Sequence, residues 1–204
     1  MVLVVTGGIG SGKSLVSRML EERYGIPVYD ADSKVKALYV SIPSMIDEIE
    51  SVLGVALRDT SGDFQPRKLA EVIFKDPVAL CKVEDIVFPQ LKADFSGWAK
   101  AQEKNVVAFE SATILEKPQF DGFGDIVLLV DAPLSVRLSR ACLRDGVDEA
   151  SVLRRMSAQQ LMNRLSEGET CPRVTHTIMN DTTASDLSLK LDEFVDKYVL
   201  TKML

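Results

Sequence analysis

Near the N-terminus, the run Gly7-Gly8-Ile9-Gly10-Ser11-Gly12-Lys13-Ser14 satisfies G-x-x-x-x-G-K-[ST], the spacing of a phosphate-holding loop. Glycines let the backbone curl until successive N–H groups point at phosphate oxygens, and the N-terminal end of a following helix adds its positive dipole end. Gly8, Gly10, Ser11 and Gly12 are the expected cradle. Lys13 is expected to reach the β- and γ-phosphates, the Leu15 N–H the α-phosphate, and the Ser14 hydroxyl a magnesium ion. The ligand so described is a nucleoside triphosphate with Mg²⁺. The loop says nothing about which group accepts its phosphate.

Two carboxylates follow in Asp30-Ala31-Asp32. Phosphoryl transfer depends mainly on positioning and electrostatics, so one carboxylate suffices to aim an acceptor hydroxyl in line and take its proton late. The same spacing admits a plainer role, with Asp32 as N-cap of a helix starting near Ser33.

Arginine is unevenly distributed. Of 11 arginines, seven (Arg137, Arg140, Arg144, Arg154, Arg155, Arg164, Arg173) fall between Asp131 and Arg173, a stretch without lysine. A planar guanidinium grips phosphate with two donors, whereas lysine acts as a point charge. Acidic residues share the stretch, so intrahelical ion pairs are the competing use of any one of them.

The elements that must position these groups are legible in outline. Val2-Leu3-Val4-Val5 is a short apolar, β-branched run, the mark of a strand buried on both faces. Lys13 to Tyr24 carries Leu15, Val16, Met19 and Leu20 at helical spacing and stops at Gly25 and Pro27. Ile26 to Tyr29 reads as the second strand, and Asn105 to Phe109, Ile126 to Val130 and Thr175 to Met179 as three more. Strand–helix–strand order implies parallel strands, whose carboxyl ends share one ligand-binding edge. Each run is followed there by polar groups: the Gly7 to Ser14 loop, Asp30 and Asp32, Glu110 and Ser111, Asp131, and Asn180. The α/β core is interrupted between the second and third strands by helical patterns at Pro43 to Leu53, Arg67 to Phe74 and Pro77 to Lys100, with a turn over Arg58 to Gln65. This insertion reads as a small helical domain covering a substrate.

Composition narrows the classes. The chain has 204 residues, 46% hydrophobic and 26% charged, which excludes a disordered or fibrous protein. With 24 basic and 30 acidic residues the net charge is −6, so no overall field draws it to nucleic acid or an anionic membrane. Three cysteines without a C-x-x-C pair suggest neither a disulfide framework nor a zinc site, and fit a reducing cytoplasm. No apolar run approaches bilayer length and no leader-like segment precedes the first strand, so secretion and membrane insertion are not expected.

Thr6 to Ser14 followed by Tyr29-Asp30-Ala31-Asp32 resembles the dephospho-CoA kinase family, which phosphorylates the ribose 3′-hydroxyl to complete coenzyme A. The resemblance continues through Arg67-Lys68-Leu69, Ile73-Phe74, Pro89, Glu116, Val130-Asp131-Ala132-Pro133, Arg137, Arg140, Arg144-Asp145, Ala158-Gln159 and Ile178 to Asn180, over nearly the whole chain. It implies a P-loop NTPase fold with a five-stranded parallel sheet, ATP and Mg²⁺, and small-molecule substrates. The implied parts are a core of 1–33, 104–138 and 174–204, an acceptor-binding helical insertion of 34–103 and an Arg-rich lid of 139–173. Carried over residue by residue, Asp32 is the catalytic base, Arg67 serves the acceptor, Arg140 and Arg144 close on the nucleotide phosphates, and Asn180 flanks the nucleotide base. The chain departs from the family where it has Phe88-Pro89 in place of His-Pro and Ala112-Thr113-Ile114 in place of a Pro-Leu-Leu-type segment. Its one histidine, His176, stands near the last strand and is expected to be structural.

Other readings of the same loop differ in the acceptor. One is a kinase of nucleoside monophosphates or another small alcohol. Another is a GTP-dependent switch, for which Asp121-Gly122-Phe123-Gly124 fits the loose D-x-x-G pattern while no N-K-x-D segment exists in the chain. A binding protein without turnover would lack a use for the full set of Lys13, Ser14, Asp32 and arginines.

Overall fold

Five parallel strands form one sheet in the order β2-β3-β1-β4-β5 in the computed structural model, which describes residues 1–200. They are β1 (Val2–Thr6), β2 (Val28–Asp30), β3 (Val107–Glu110), β4 (Ile126–Asp131) and β5 (His176–Met179). All four pairings are parallel, so every carboxyl end lies on one edge. The strands β1 and β4 begin at the expected residue and run one residue further, β5 begins one residue later and ends as expected, and β2 and β3 begin two residues later and end one later than periodicity places them. The second, expected over Ile26 to Tyr29, begins at Val28, because Ile26 is still tied to the preceding helix by its N–H to the Leu20 carbonyl. The last four residues of the expected core segment 174–204 lie outside the described residues.

The chain divides into two compact units, Met1–Asp30 with Gln102–Leu204, and Ala31–Ala101. In the first, the helix α1 (Lys13–Tyr24) spans the residues its apolar spacing predicts and ends at Gly25, whose left-handed conformation (φ 61°) suits glycine. One sheet face is packed by Val16 and Leu20 of this helix and by Leu187, Leu191 and Phe194 near the C-terminus, against Leu3, Val5, Leu128, Val130 and Ile178. Rings gather around Phe109 of β3: Tyr29 stacks on it at 5.5 Å, and Phe123 meets it edge-on at 4.9 Å.

The second unit contains four helices among the described residues: α2 (Ala31–Ser41), α3 (Pro43–Leu53), α4 (Pro66–Ile73) and α5 (Pro77–Ala101). Helix α5 organises it. Its buried residues Ala79, Val83, Val87, Leu91 and Phe95 recur every four positions and form one stripe. Pro89 lies inside this helix, with the buried Val87 and Leu91 on either side. Between α3 and α4 the turn over Arg58 to Gln65 closes as an antiparallel bridge between Arg58 and Phe64. Arg58 is also bonded to Glu50 and, at 2.7 Å, to Asp47.

The first unit is completed by α6 (Leu134–Asp145), α7 (Glu149–Ser157), α8 (Gln160–Ser166) and α9 (Ala184–Phe194). Helix α9 opens with a capping box: the Thr183 side chain accepts from the Asp186 N–H while the Asp186 carboxylate accepts from the Thr183 N–H. Among the described residues no helix is long and apolar enough to cross a membrane. The three cysteines are free thiols.

Candidate active site

The loop between β1 and α1 turns as its glycines permit. Gly7, Gly10 and Gly12 have φ of 151°, 77° and 101°, in the region that favours glycine. Space imposes the same choice. A Cβ on Gly8 would lie 2.2 Å from Arg137 Nη1, one on Gly10 2.2 Å from the Arg137 carbonyl oxygen, and one on Gly12 2.1 Å from Asn180 Nδ2. The loop is therefore shaped from beneath by α6 and by the residue following β5.

Two side chains from distant parts of the chain fix its backbone, and a third braces one of them. The Ile9 N–H donates to Gln159 Oε1 at 2.8 Å, and Asn180 Nδ2 donates to the Ser11 carbonyl at 2.8 Å. Arg140 in turn donates to the Asn180 carbonyl at 2.9 Å. Arg137 is 2% exposed and faces Asp131 at 3.8 Å. The Ser11 hydroxyl is buried and has no hydrogen-bond partner among the described residues. An uncompensated buried hydroxyl inside a glycine loop fits a site built for an anion that accepts from it.

At the front of the loop, Lys13 Nζ donates to the Gly8 carbonyl at 3.3 Å, and Ser14 Oγ donates to Glu110 Oε1 at 3.0 Å. Glu110 ends β3, in register with Asp30 at the end of β2. A hydroxyl and a carboxylate are hard oxygen donors, the set suited to Mg²⁺, which retains waters and takes one or two carboxylates beside substrate phosphates. Ser14 and Glu110 would hold that ion. Glu110 figures in the sequence only as one polar residue after a strand. Its partnership with Ser14 depends on β3 lying beside β1, which the sequence does not state.

The arginine-rich stretch resolves into distinct uses. Arg137 and Arg140 support the loop as described. Arg144 and Arg155 converge on Asp145 at 2.7 and 2.6 Å, and together they hold its carboxyl well below the usual range. Arg164 faces Glu169, and Arg173 bonds to Asp121 and to the Phe120 carbonyl. Arg144 is thus found in an exposed ion pair, and ion pairing accounts for most of the group. Asp121, first residue of the D-x-x-G segment, is engaged by Arg173 at 2.9 Å and serves a protein contact.

Asp32 belongs to the helical unit. Helix α2 starts at Ala31, so Asp32 lies within its first turn. The expectation of an N-cap before a helix starting at Ser33 is corrected accordingly: the helix follows β2 without a break, and the capping position falls earlier. A carboxylate in a first turn is favoured by the helix dipole. Arg67 is exposed in the first turn of α4. His176 stacks on Phe194 at 5.6 Å and packs on Tyr198 at 5.4 Å, the structural placement expected of it.

A glycine loop between a parallel strand and a helix, with Lys13 and Ser14 at its head and a carboxylate on the neighbouring strand, defines a P-loop phosphotransferase that takes ATP. A family profile described as dephospho-CoA kinase matches residues 1–186. The dephospho-CoA kinase of Porphyromonas gingivalis is 38% identical over 176 residues, covering 86% of this chain and 84% of that protein. That of Fusobacterium nucleatum is 30% identical over 196 residues, covering 96% and 97%. Among solved structures, TT1252 from Thermus thermophilus superposes with a TM-score of 0.80 at 26% identity, covering 98% of each chain. The chain belongs to the dephospho-CoA kinase family.

Proposed function

We infer that the protein transfers the γ-phosphoryl group of ATP to the ribose 3′-hydroxyl of dephospho-CoA, giving coenzyme A and ADP. One observation carries this reading: a complete phosphate loop, with Ser14 bonded to Glu110, in a chain matched to that kinase family from residue 1 to 186. In the reaction the 3′-oxygen bonds to the γ-phosphorus, the bond from that phosphorus to the β,γ-bridging oxygen breaks, and the hydroxyl proton passes to Asp32. Loop amides from Gly8 to Ser14 and that of Leu15 bind the phosphates, and Lys13 holds the β- and γ-oxygens. Mg²⁺ held by Ser14 and Glu110 supplies neutralisation of charge on the phosphates.

Helical residues 34–103 bind the acceptor, with Arg67 contributing to it, and residues 139–173 act as a lid. Closure of Arg144 on the phosphates, its ion pair with Asp145 exchanged for them, excludes water and limits wasteful hydrolysis, and Arg140 acts on the phosphates by leaving the Asn180 carbonyl it holds in this structure. Asn180 borders the nucleotide base while its amide holds the loop. Free thiols and net charge −6 fit a cytoplasmic enzyme of small molecules.

The test is ADP release from Mg-ATP with and without dephospho-CoA, with the product identified by mass. Acceptor-dependent gain of one phosphate is expected. Turnover of nucleoside monophosphates without any response to dephospho-CoA would replace this reading. Asp32→Asn is expected to lower kcat by about 10²- to 10⁴-fold with the KM for ATP little changed, since general-base contributions are of that size. Near-normal kcat would remove Asp32 from the mechanism.

A further inference from the structure

One peptide of the phosphate loop, the unit between Gly8 and Ile9, is bonded at both of its polar ends. The Ile9 N–H donates to Gln159 Oε1 at 2.8 Å, while the Gly8 carbonyl accepts from the Ser11 N–H at 3.1 Å and from Lys13 Nζ at 3.3 Å. A trans peptide is planar and its N–H and C=O point opposite ways, so whatever holds the one aims the other. With glycine on one side, this plane has little else to stop it rotating. Nor can Gly8 take a side chain, since a Cβ there would crowd Arg137 and stand 3.7 Å from Gln159 Oε1.

Gln159 is itself held firmly. It is 6% exposed and joins α7 to α8: its N–H donates to the Met156 carbonyl at 3.0 Å, and its carbonyl accepts from the Asn163 N–H at 3.0 Å. Two residues on, the Leu161 N–H donates to Glu116 Oε1 at 3.0 Å. On the loop side, the Ile9 side chain packs on the cluster of Ala141, Val152 and Met156 from α6 and α7. Main chain and side chain of Ile9 therefore both root the Arg-rich helices on the phosphate loop.

The ammonium of Lys13 carries three donors. Two serve the β- and γ-oxygens, and the third remains for the Gly8 carbonyl. At 3.3 Å that bond is long, so it steers the ammonium without trapping it. We propose that Gln159 is a positioning residue for Lys13: it fixes the plane of the Gly8–Ile9 peptide, and the Gly8 carbonyl then directs the ammonium to the phosphates. The plainer use of Gln159 is to satisfy one buried N–H. The proposal rests on the loop as an ATP site and is independent of which acceptor takes the phosphate.

The two uses are separated by a double-mutant cycle on the full chain, read as calorimetric Kd for Mg-ATP. Gln159→Met has a similar length and offers no oxygen, and Lys13→Ala removes the ammonium. Gln159→Met alone should weaken Mg-ATP about tenfold, the scale of a lost hydrogen bond to a charged group, and should move the Ile9 amide proton upfield in NMR. Added to Lys13→Ala, it should weaken Mg-ATP by less than about twofold more, because the group it positions is gone. A full further tenfold loss on the Lys13→Ala background would overturn the proposal and leave Gln159 with a structural role. Unchanged affinity in Gln159→Met alone would overturn it as well. Melts without nucleotide show whether each variant folds; should Gln159→Met fail to, Gln159→Asn, whose amide is one methylene too short for the Ile9 N–H, carries the same expectations. Wild-type protein that binds Mg-ATP without turning over dephospho-CoA would reject the acceptor reading, and the cycle would still decide the role of Gln159.

Discussion

Asn180 shows how one side chain can serve both fold and site. Its amide donates to the Ser11 carbonyl and its own carbonyl accepts from Arg140, in a residue that is buried after β5. Replacing it with alanine keeps the main-chain carbonyl that Arg140 binds and leaves the Ser11 carbonyl without its side-chain donor, and such a buried group costs about 1–3 kcal/mol. Asn180→Ala should therefore lower stability in urea unfolding by an amount of that order and weaken ATP in calorimetry. His176 makes a different prediction. Burial and then the charge of Lys197 lower its pKa below the usual 6.5, with Glu193 opposing them. The folded state thus binds the proton less readily than the unfolded chain, and stability is lost as pH falls from about 6.5 through the folded value. The loss from the carboxylates Asp148, Asp186 and Asp192, whose pKa values hydrogen bonds hold below 3.8, comes in a more acid window. Thermal melts between pH 7 and 5 should decline less for His176→Phe than for the wild type. An identical decline would show that another group dominates there.

At the scale of elements, the phosphate loop is held in its shape by what lies beneath it. Gly10 combines a positive φ of 77° with an Arg137 carbonyl 2.2 Å from any Cβ placed there. Gly10→Ala should cost about 1–3 kcal/mol through backbone strain and abolish ATP binding, because the loop must move away from α6. Gly25 is the control. Its φ is 61° but nothing lies within 4 Å of the added Cβ, so Gly25→Ala should cost about 1–2 kcal/mol and leave ATP affinity intact. Urea midpoints and calorimetry on the two variants separate loop shape from general strain. Helix boundaries are the most legible part of the sequence: α1 matches its apolar spacing and glycine stop, and α3 its expected span, residue for residue. The strands β2 and β3 start later than expected because strand ends are set by ladder partners, such as Glu110 opposite Val5 and Asp30, and not by hydrophobicity.

For the molecule as a whole, ligand and stability are linked. ATP that binds the folded chain at about 100 times its Kd should add about 2.7 kcal/mol to unfolding free energy, or roughly 5–10 °C in Tm for a chain of this size. Lys13→Ala should reduce that shift in thermal melts with Mg-ATP, while its melt without nucleotide stays near that of the wild type.

The amino-acid sequence alone determined the chemistry at the loop, because glycine spacing, Lys13 and Ser14 are consecutive and need no distant partner. It likewise determined the parallel α/β core and the helical insertion, whose apolar periods are local. Tertiary structure decided what periodicity could not carry. It paired Ser14 with Glu110 across 96 positions and the Ile9 amide with Gln159 across 150. It also divided a run of similar arginines into those beneath the loop and those bound to neighbouring carboxylates. The physical reason is that a residue's type sets which bonds it can make, while its partner is chosen by strand order and packing.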